Sequence, residues 1–316
     1  MSSIVRTVGG DVESGALGRV YCHEHLLTRP GDHLVEDDLD LVLDDRRRAL
    51  AELETFRSSG GGTIVEVTTP EFGRDLDGLR DLSERSGVEI VGVTGHVSEE
   101  YWRGVIDLES TLESELVIEF LRDLTTGTSR GTRAGVIKVG SSLDRITPTE
   151  KKIVRAAAIA QGEVGAPITT HTTAGTAAFE QVRVLEGAGA DLEKVCIGHL
   201  DRRLVWDEHL ALARIGVFLG YDCISKEKYE PDWKRIDFIV RLSEAGYANQ
   251  IVLSADMARR SYLESWQGGP GYRYILEVFV DRLRRAGLSP SCVDRLLIGN
   301  PARFLTWSPT SGALDC

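Results

Sequence analysis

Short runs of β-branched and other apolar residues alternate along this chain with longer segments whose apolar residues recur every three or four positions. The short runs fall at residues 19–22, 63–68, 89–94, 135–139, 167–171, 194–199, 217–221 and 251–254. Each has the length and composition of a strand. The segments at 42–58, 76–86, 108–126, 149–163, 174–187, 206–215, 232–245 and 272–286 have helical spacing. Two local signals support the helices. Thr147-Pro148-Thr149-Glu150 sets a cap-type residue and a proline at a helix start, and Gly287 follows Arg284-Arg285-Ala286 as a helix C-terminus would. Strands alternating with helices predict a parallel α/β sheet, and eight such units predict closure into a (β/α)8 TIM barrel. The rival open, doubly wound sheet normally carries a glycine-rich phosphate loop after its first strand, and none stands there. No linker, repeat or low-complexity tract interrupts residues 1–316, so the pattern predicts one domain.

Composition narrows the class. The chain is 42% hydrophobic and 27% charged, with a formal net charge of −12. That balance offers no basic stripe to meet phosphates, which argues against a nucleic-acid partner. It does not bear on a small-molecule substrate, because one local basic pocket can sit in an acidic surface. Residues 1–11 lack an apolar core of signal-peptide length, and no stretch reaches the ~18 apolar residues of a membrane span, so no membrane partner is expected. The five cysteines (Cys22, Cys196, Cys223, Cys292 and Cys316) have no regular spacing and read as reduced thiols of a cytoplasmic protein.

The chemistry lies at the strand ends, where a barrel of this kind gathers its functional groups. The first predicted strand runs into Tyr21-Cys22-His23-Glu24-His25. Side chains alternate along a strand, so His23 and His25 point one way and Glu24 the other. Two imidazoles on one side can grip a divalent metal, although two surface histidines before a loop would look the same. Further strand ends bring Lys138, His171, His199 and Asp256. Lys138 is flanked by Val136, Ile137 and Val139, where a buried charge is costly. Its ammonium either reaches the rim or an acid, or the neutral amine takes up CO2 and becomes an anionic carbamate.

The ordered set His-x-His, strand-end Lys, His, His and Asp, running from Gly18-Arg-Val-Tyr-Cys-His-Glu-His25 to Asn300-Pro-Ala-Arg-Phe304, resembles the phosphotriesterase-related branch of the amidohydrolase superfamily. The resemblance covers nearly the whole chain. It implies a barrel with two divalent metal ions: His23, His25 and Asp256 on the more buried one, His171 and His199 on the outer one, with carboxylated Lys138 and a hydroxide between them. Imidazole and carboxylate ligands suit zinc; manganese, cobalt or iron also fit. In that arrangement the hydroxide attacks a carbonyl or phosphoryl centre, and Asp256 shuttles its proton to the leaving group. Members of this branch are often homodimers, and nothing in these residues decides the assembly.

Substrate signals come from the loops. Phosphotriesterases back the shuttle aspartate with a histidine beyond strand seven and an acid after the strand-six ligand. Here Cys223 stands in the first place, and Arg202, after Leu200-Asp201, in the second. A fast phosphotriesterase is therefore not the first expectation. Lys228, Arg259 and Tyr262 resemble the phosphate-binding trio of relatives that open phosphorylated sugar lactones, and Lys226 lies in the same loop as Lys228. The expectation is a lactonase for an anionic, phosphorylated sugar lactone. The alternatives are a phosphotriesterase, or an amidase or carboxylesterase for another anionic substrate. His96, after strand three, is a candidate pocket residue or a satisfied structural histidine. Glu66 reads as a barrel-interior carboxylate, and His33 and His209 as bystanders.

Overall fold

A computed structural model describes residues 3–36 and 38–308; Cys316 lies outside them. The strands in chain order are β1 (Ile4–Thr7), β2 (Gly10–Glu13), β3 (Arg19–Glu24), β4 (Gly61–Glu66), β5 (Glu89–Val91), β6 (Val93–His96), β7 (Val136–Ser141), β8 (Ile168–Thr172), β9 (Val195–Ile197), β10 (Phe218–Tyr221) and β11 (Ile251–Leu253). β3, β4 and β5 form one parallel arc, and β6 to β11 form a second in sequence order. The predicted strand 89–94 is thus two strands that meet at Gly92. A Cβ at Gly92 would fall 2.5 Å from the Leu76 side chain, and its carbonyl accepts the Gly135 N–H instead of ordinary ladder bonds. The two arcs close where the Asp256 N–H reaches the His23 carbonyl (3.1 Å) and the His23 N–H reaches Ser254 Oγ (2.9 Å). The result is the expected (β/α)8 TIM barrel.

Alternation along the strands divides the core. Val20, Val65, Val91, Val93, Val136, Cys196, Phe218 and Val252 pack on one another inside the barrel. Their strand neighbours Tyr21, Ile64, Ile90, Ile137, Ile197, Leu219 and Leu253 pack against the helices outside.

Most helices follow the predicted spacing with trimmed starts. The helix predicted over 42–58 begins at Arg46, because Asp45 accepts the Arg47 and Arg48 N–H groups as its cap. The helix Pro148–Val164 has a full capping box: Thr147 Oγ1 takes the Glu150 N–H (3.2 Å) and the Glu150 carboxylate takes the Thr147 N–H (2.7 Å). The helix predicted over 174–187 starts later, at Ala178, after a turn over Thr173–Gly175. The segment predicted over 272–286 includes a π-helical stretch, Ile275–Phe279, before Val280–Arg285. Among the described residues no helix is long and apolar enough to cross a membrane.

Several elements escaped the sequence pattern, among them short helices over Glu99–Trp102, Pro290–Asp294 and Asn300–Leu305 and a hairpin at the start of the chain. The first apolar run is not at residues 19–22: β1 and β2 form an antiparallel hairpin ahead of it, turning at Val8-Gly9, with Gly10, the first residue of β2, at φ 132°. The hairpin plugs the end of the barrel opposite the ligands. Val5 joins the interior cluster, the Val8 N–H bonds to the Ile90 carbonyl, and the Trp307 N–H bonds to the Ile4 carbonyl.

Candidate active site

The strand ends bring His23, His25, Lys138, His171, His199 and Asp256 together at one mouth of the barrel. One ligand atom each from His23, His25 and Asp256 lies within 4.8 Å of the others. His171 Nδ1 and His199 Nε2 face each other at 3.0 Å. Lys138 Nζ is 3.2 Å from His23 Nε2. The outward nitrogens are anchored from behind. His25 Nδ1 meets Thr68 Oγ1 (2.8 Å) and His171 Nε2 meets Thr173 Oγ1 (3.3 Å). His199 Nδ1 meets Asp222 Oδ1 (2.7 Å), and His23 Nδ1 lies 3.0 Å from Asp222 Oδ2. Such supports fix the ring orientation and tautomer of a metal-binding histidine.

Asp222 is the residue that sequence reasoning passed over. It is buried, takes the His199 N–H, bonds the His199 ring and places its second oxygen 3.0 Å from His23 Nδ1. The only available signal was an acid at a strand end in Gly220-Tyr-Asp-Cys223. Glu24 does a parallel task on the far face of β3. Its carboxylate accepts the Ser254 hydroxyl and the N–H groups of Ala255 and Met257, which ties the first strand to the loop that carries Asp256. His199 (φ 59°) and Asp256 (φ 48°) both hold left-handed backbone conformations, a strain commonly found where function fixes a side chain.

Electrostatics suit neutral donors around ionised carboxylates. Burial drives His23 down to about 3, with the Lys138 charge acting the same way, and burial likewise holds His171 well below its ordinary value. Burial lowers Lys138 to about 8, against the pull of Asp222 and Asp256. Burial opposes charge on Asp256 as well, but the Lys226 ammonium, the His25 hydrogen bond and the His199 and His23 rings together outweigh it and keep the carboxyl well below the usual range. Among the described residues no carboxylate lies within 4 Å of Lys138 Nζ; its one acceptor besides His23 is the Thr170 carbonyl at 3.3 Å. Four imidazoles with inward nitrogens, one carboxylate and an unpaired buried amine form a donor set that fits divalent cations.

Above this set opens a cavity of about 330 Å3, lined in part by Phe72, Tyr101, Arg202, Lys226, Arg259 and Tyr262. Arg259 and Tyr262 therefore face the predicted ligands. Lys228 does not line the cavity; its ammonium lies over the rings of Tyr229 (4.9 Å) and Tyr262 (5.3 Å). Lys226 is the lysine inside, and its ammonium bonds to the carboxylate and carbonyl of Asp256. His96 is also absent from the lining. It is buried between Glu71 (2.9 Å) and Glu119 (3.2 Å), which hold it at about 9 against the cost of burial. Glu66 is buried and accepts the Leu26 and Thr68 N–H groups and the Thr68 hydroxyl.

Comparison with known proteins places this geometry. Residues 3–305 match the model of the phosphotriesterase family, and the chain belongs to that family. The chain is 33% identical to the phosphotriesterase homology protein of Escherichia coli (strain K12), covering 91% of this chain and 97% of the relative. It is 33% identical to the N-acetyltaurine hydrolase of Salmo salar, covering 97% and 99%. The crystal structure of the lactonase Lmo2620 from Listeria monocytogenes superimposes with a TM-score of 0.94 at 33% identity, over 97% of this chain and all of that one. The protein is a metal-dependent hydrolase of small molecules.

Proposed function

We propose that this hydrolase opens a lactone carrying an anionic group, in the first place a phosphorylated sugar lactone, and that it does so as one domain spanning residues 1–316. The observation that carries the reading is the set of cations and hydroxyls, Lys226, Arg259 and Tyr262, at the cavity wall above the donor set, with Lys228 stacked on Tyr262 behind them. Cationic forks and hydroxyls at that position suit a phosphate or carboxylate held away from the reacting carbonyl. Binding energy from such a remote group can orient the ring.

In this reading His23, His25 and Asp256 would hold one divalent metal and His171 and His199 a second, with Lys138, as a carbamate, a ligand shared by the pair; zinc suits the set best. When bound, the metals lower the pKa of the attacking water and polarise the carbonyl. The chain's own part is positioning and proton transfer. Asp256 Oδ1 faces His25 Nε2 at 3.4 Å, while Oδ2 is held by Lys226. From there Asp256 takes the proton of the attacking water and delivers it to the departing ring oxygen. Asp222 and Thr68 keep the imidazoles aimed while the charge moves. We assign His96 to support of the wall, not to contact with substrate.

A second reading is amide hydrolysis, favoured by the full-length similarity to N-acetyltaurine hydrolases. One experiment separates the two. The purified protein is analysed for metal and then assayed by proton release on phosphorylated and plain sugar lactones, and by amine release on N-acetyltaurine. Two metals per chain with preferred turnover of phosphorylated lactones is the expected result. Two metals with turnover of N-acetyltaurine alone would replace the lactone with the amide.

A further inference from the structure

Three of the cations on the cavity wall differ in what already neutralises them. Lys226 is paired with Asp256. Arg259 is paired with Asp38 (2.6 Å) and stands 3.6 Å from Asp40, both on the loop that follows the first barrel strand. Arg202 also lines the cavity, and among the described residues its guanidinium has neither an ion pair nor a hydrogen bond. Its Nε is shielded from solvent and unpartnered. A buried donor left without an acceptor is uncommon in a native fold and marks a place where a ligand or ordered water belongs.

The backbone beneath Arg202 is fixed. The turn Leu200–Arg202 follows directly on His199, and the Arg202 N–H closes it on the His199 carbonyl (3.1 Å). Asp201, in the same turn, accepts the N–H groups of Asp222 and Cys223 and pairs with buried Arg235 (2.7 Å). The guanidinium carbon lies over the Tyr229 ring, 4.2 Å from the ring centre. A cation–π contact of this kind consumes no hydrogen-bond donor, so the fork's N–H groups stay free for an acceptor. The site thus holds a preorganised, unneutralised arginine three residues from His199.

We infer that Arg202 is a substrate-binding residue that pairs with an oxyanion of the substrate, and that it is the first cation of the pocket to engage it, since the charge of Arg259 is already met by Asp38 and Asp40. This deepens the reading above, because it takes the substrate to be anionic. It also gives a physical reason for an arginine where the phosphotriesterases place an acid: the change turns that side of the pocket from repelling an anion to receiving one.

The test uses the metal-loaded enzyme and inorganic phosphate as probe. Binding is followed by calorimetry and by competitive inhibition, for the wild type and for R202Q, R202K and R259A. We expect R202Q to weaken phosphate binding by about tenfold or more, and R202K, which keeps the charge but loses the fork, to weaken it by a few-fold. KM for a phosphorylated lactone should rise with the phosphate Kd while kcat stays within about twofold, as for a lost uniform binding contact. R202K keeps the test usable if R202Q fails to fold. Equal phosphate affinity in the wild type and both Arg202 variants would overturn the inference, as would loss of phosphate binding in R259A alone. If the wild type turns over no lactone but phosphate binding still depends on Arg202, the lactone reading fails and the Arg202 site stands.

Discussion

The ring of strand-end donors and the ring of loop cations just above it are built on different principles. In the lower ring each imidazole is fixed twice, by its strand end and by a partner behind it. Thr68 holds His25, Thr173 holds His171, and Asp222 holds both His23 and His199. In the upper ring position depends on charge pairing between loops: Arg259 leans on Asp38, Lys226 on Asp256, and Arg202 on an aromatic face alone. The lower ring serves chemistry that tolerates little displacement. The upper ring can exchange partners, which is what recognition of an incoming anion requires.

The comparison breaks most sharply at Lys138. Lys138→Ala should remove the group assigned to both metals, so metal content should fall below two per chain and turnover to background. Elemental analysis alongside the assay checks this, and two retained metals with full turnover would disprove the carbamate. The next effect in size is expected at Asp222, which does not line the cavity. Asp222→Asn keeps the shape but lets only one imidazole donate to it, and loss of such a support typically weakens metal affinity or activity by about 10- to 100-fold. Competition with a chelator would measure it. An unchanged metal affinity would reduce Asp222 to packing.

The same contrast explains what could be read from the sequence. Strand periodicity fixes direction, so His23, His25, Lys138, His171, His199 and Asp256 could be placed at one mouth from strand ends alone. The helices were legible through spacing and caps, as with Thr147 and Glu150. Loops give no such rule. Lys228 and Lys226 are two residues apart, and only folding shows that Lys226 enters the cavity. Asp222 was hidden for another reason: its side chain serves other side chains, a relation that leaves no spacing signal. The β1–β2 hairpin was missed because four-residue strands with alternating polar positions resemble a loop, although the glycine pair Gly9-Gly10 marked the end of its turn.

In the upper ring the expected changes are smaller and of opposite sign. Arg259→Ala should raise KM for a phosphorylated lactone by about tenfold, and far less for its unphosphorylated analogue, because one charge-assisted contact is lost. Asp38→Asn should do the reverse and lower that KM by a few-fold, since the guanidinium no longer has to leave a carboxylate. Steady-state kinetics on the substrate pair tests both. An equal effect of Arg259→Ala on the two substrates would remove the arginine from anion recognition.

The smallest effect is on stability, and it lies behind the wall rather than at the site. His96 is buried between Glu71 and Glu119, and Glu71 also accepts the Val97 N–H, so the cluster joins the Pro70–Phe72 turn to the end of β6. Burial opposes charge on the ring, but the two carboxylates outweigh it and raise its pKa from 6.5 to about 9. A histidine whose folded pKa is raised stabilises the fold fully below the unfolded value, and that stabilisation is lost as pH rises through the folded value. The window here runs from pH 6.5 to 9. The shift corresponds to at most about 3 to 4 kcal/mol, from ~1.4 kcal/mol per unit. Other buried groups titrate in this range, among them Lys138, so the informative quantity is a difference. Urea midpoints for the wild type should fall between pH 6.5 and 9.5 more steeply than those of His96→Gln, whose side chain cannot take up the proton. Parallel pH profiles would mean that His96 is not charged in the fold, and that the turn carrying Phe72 is tied to β6 by hydrogen bonds without an ion pair.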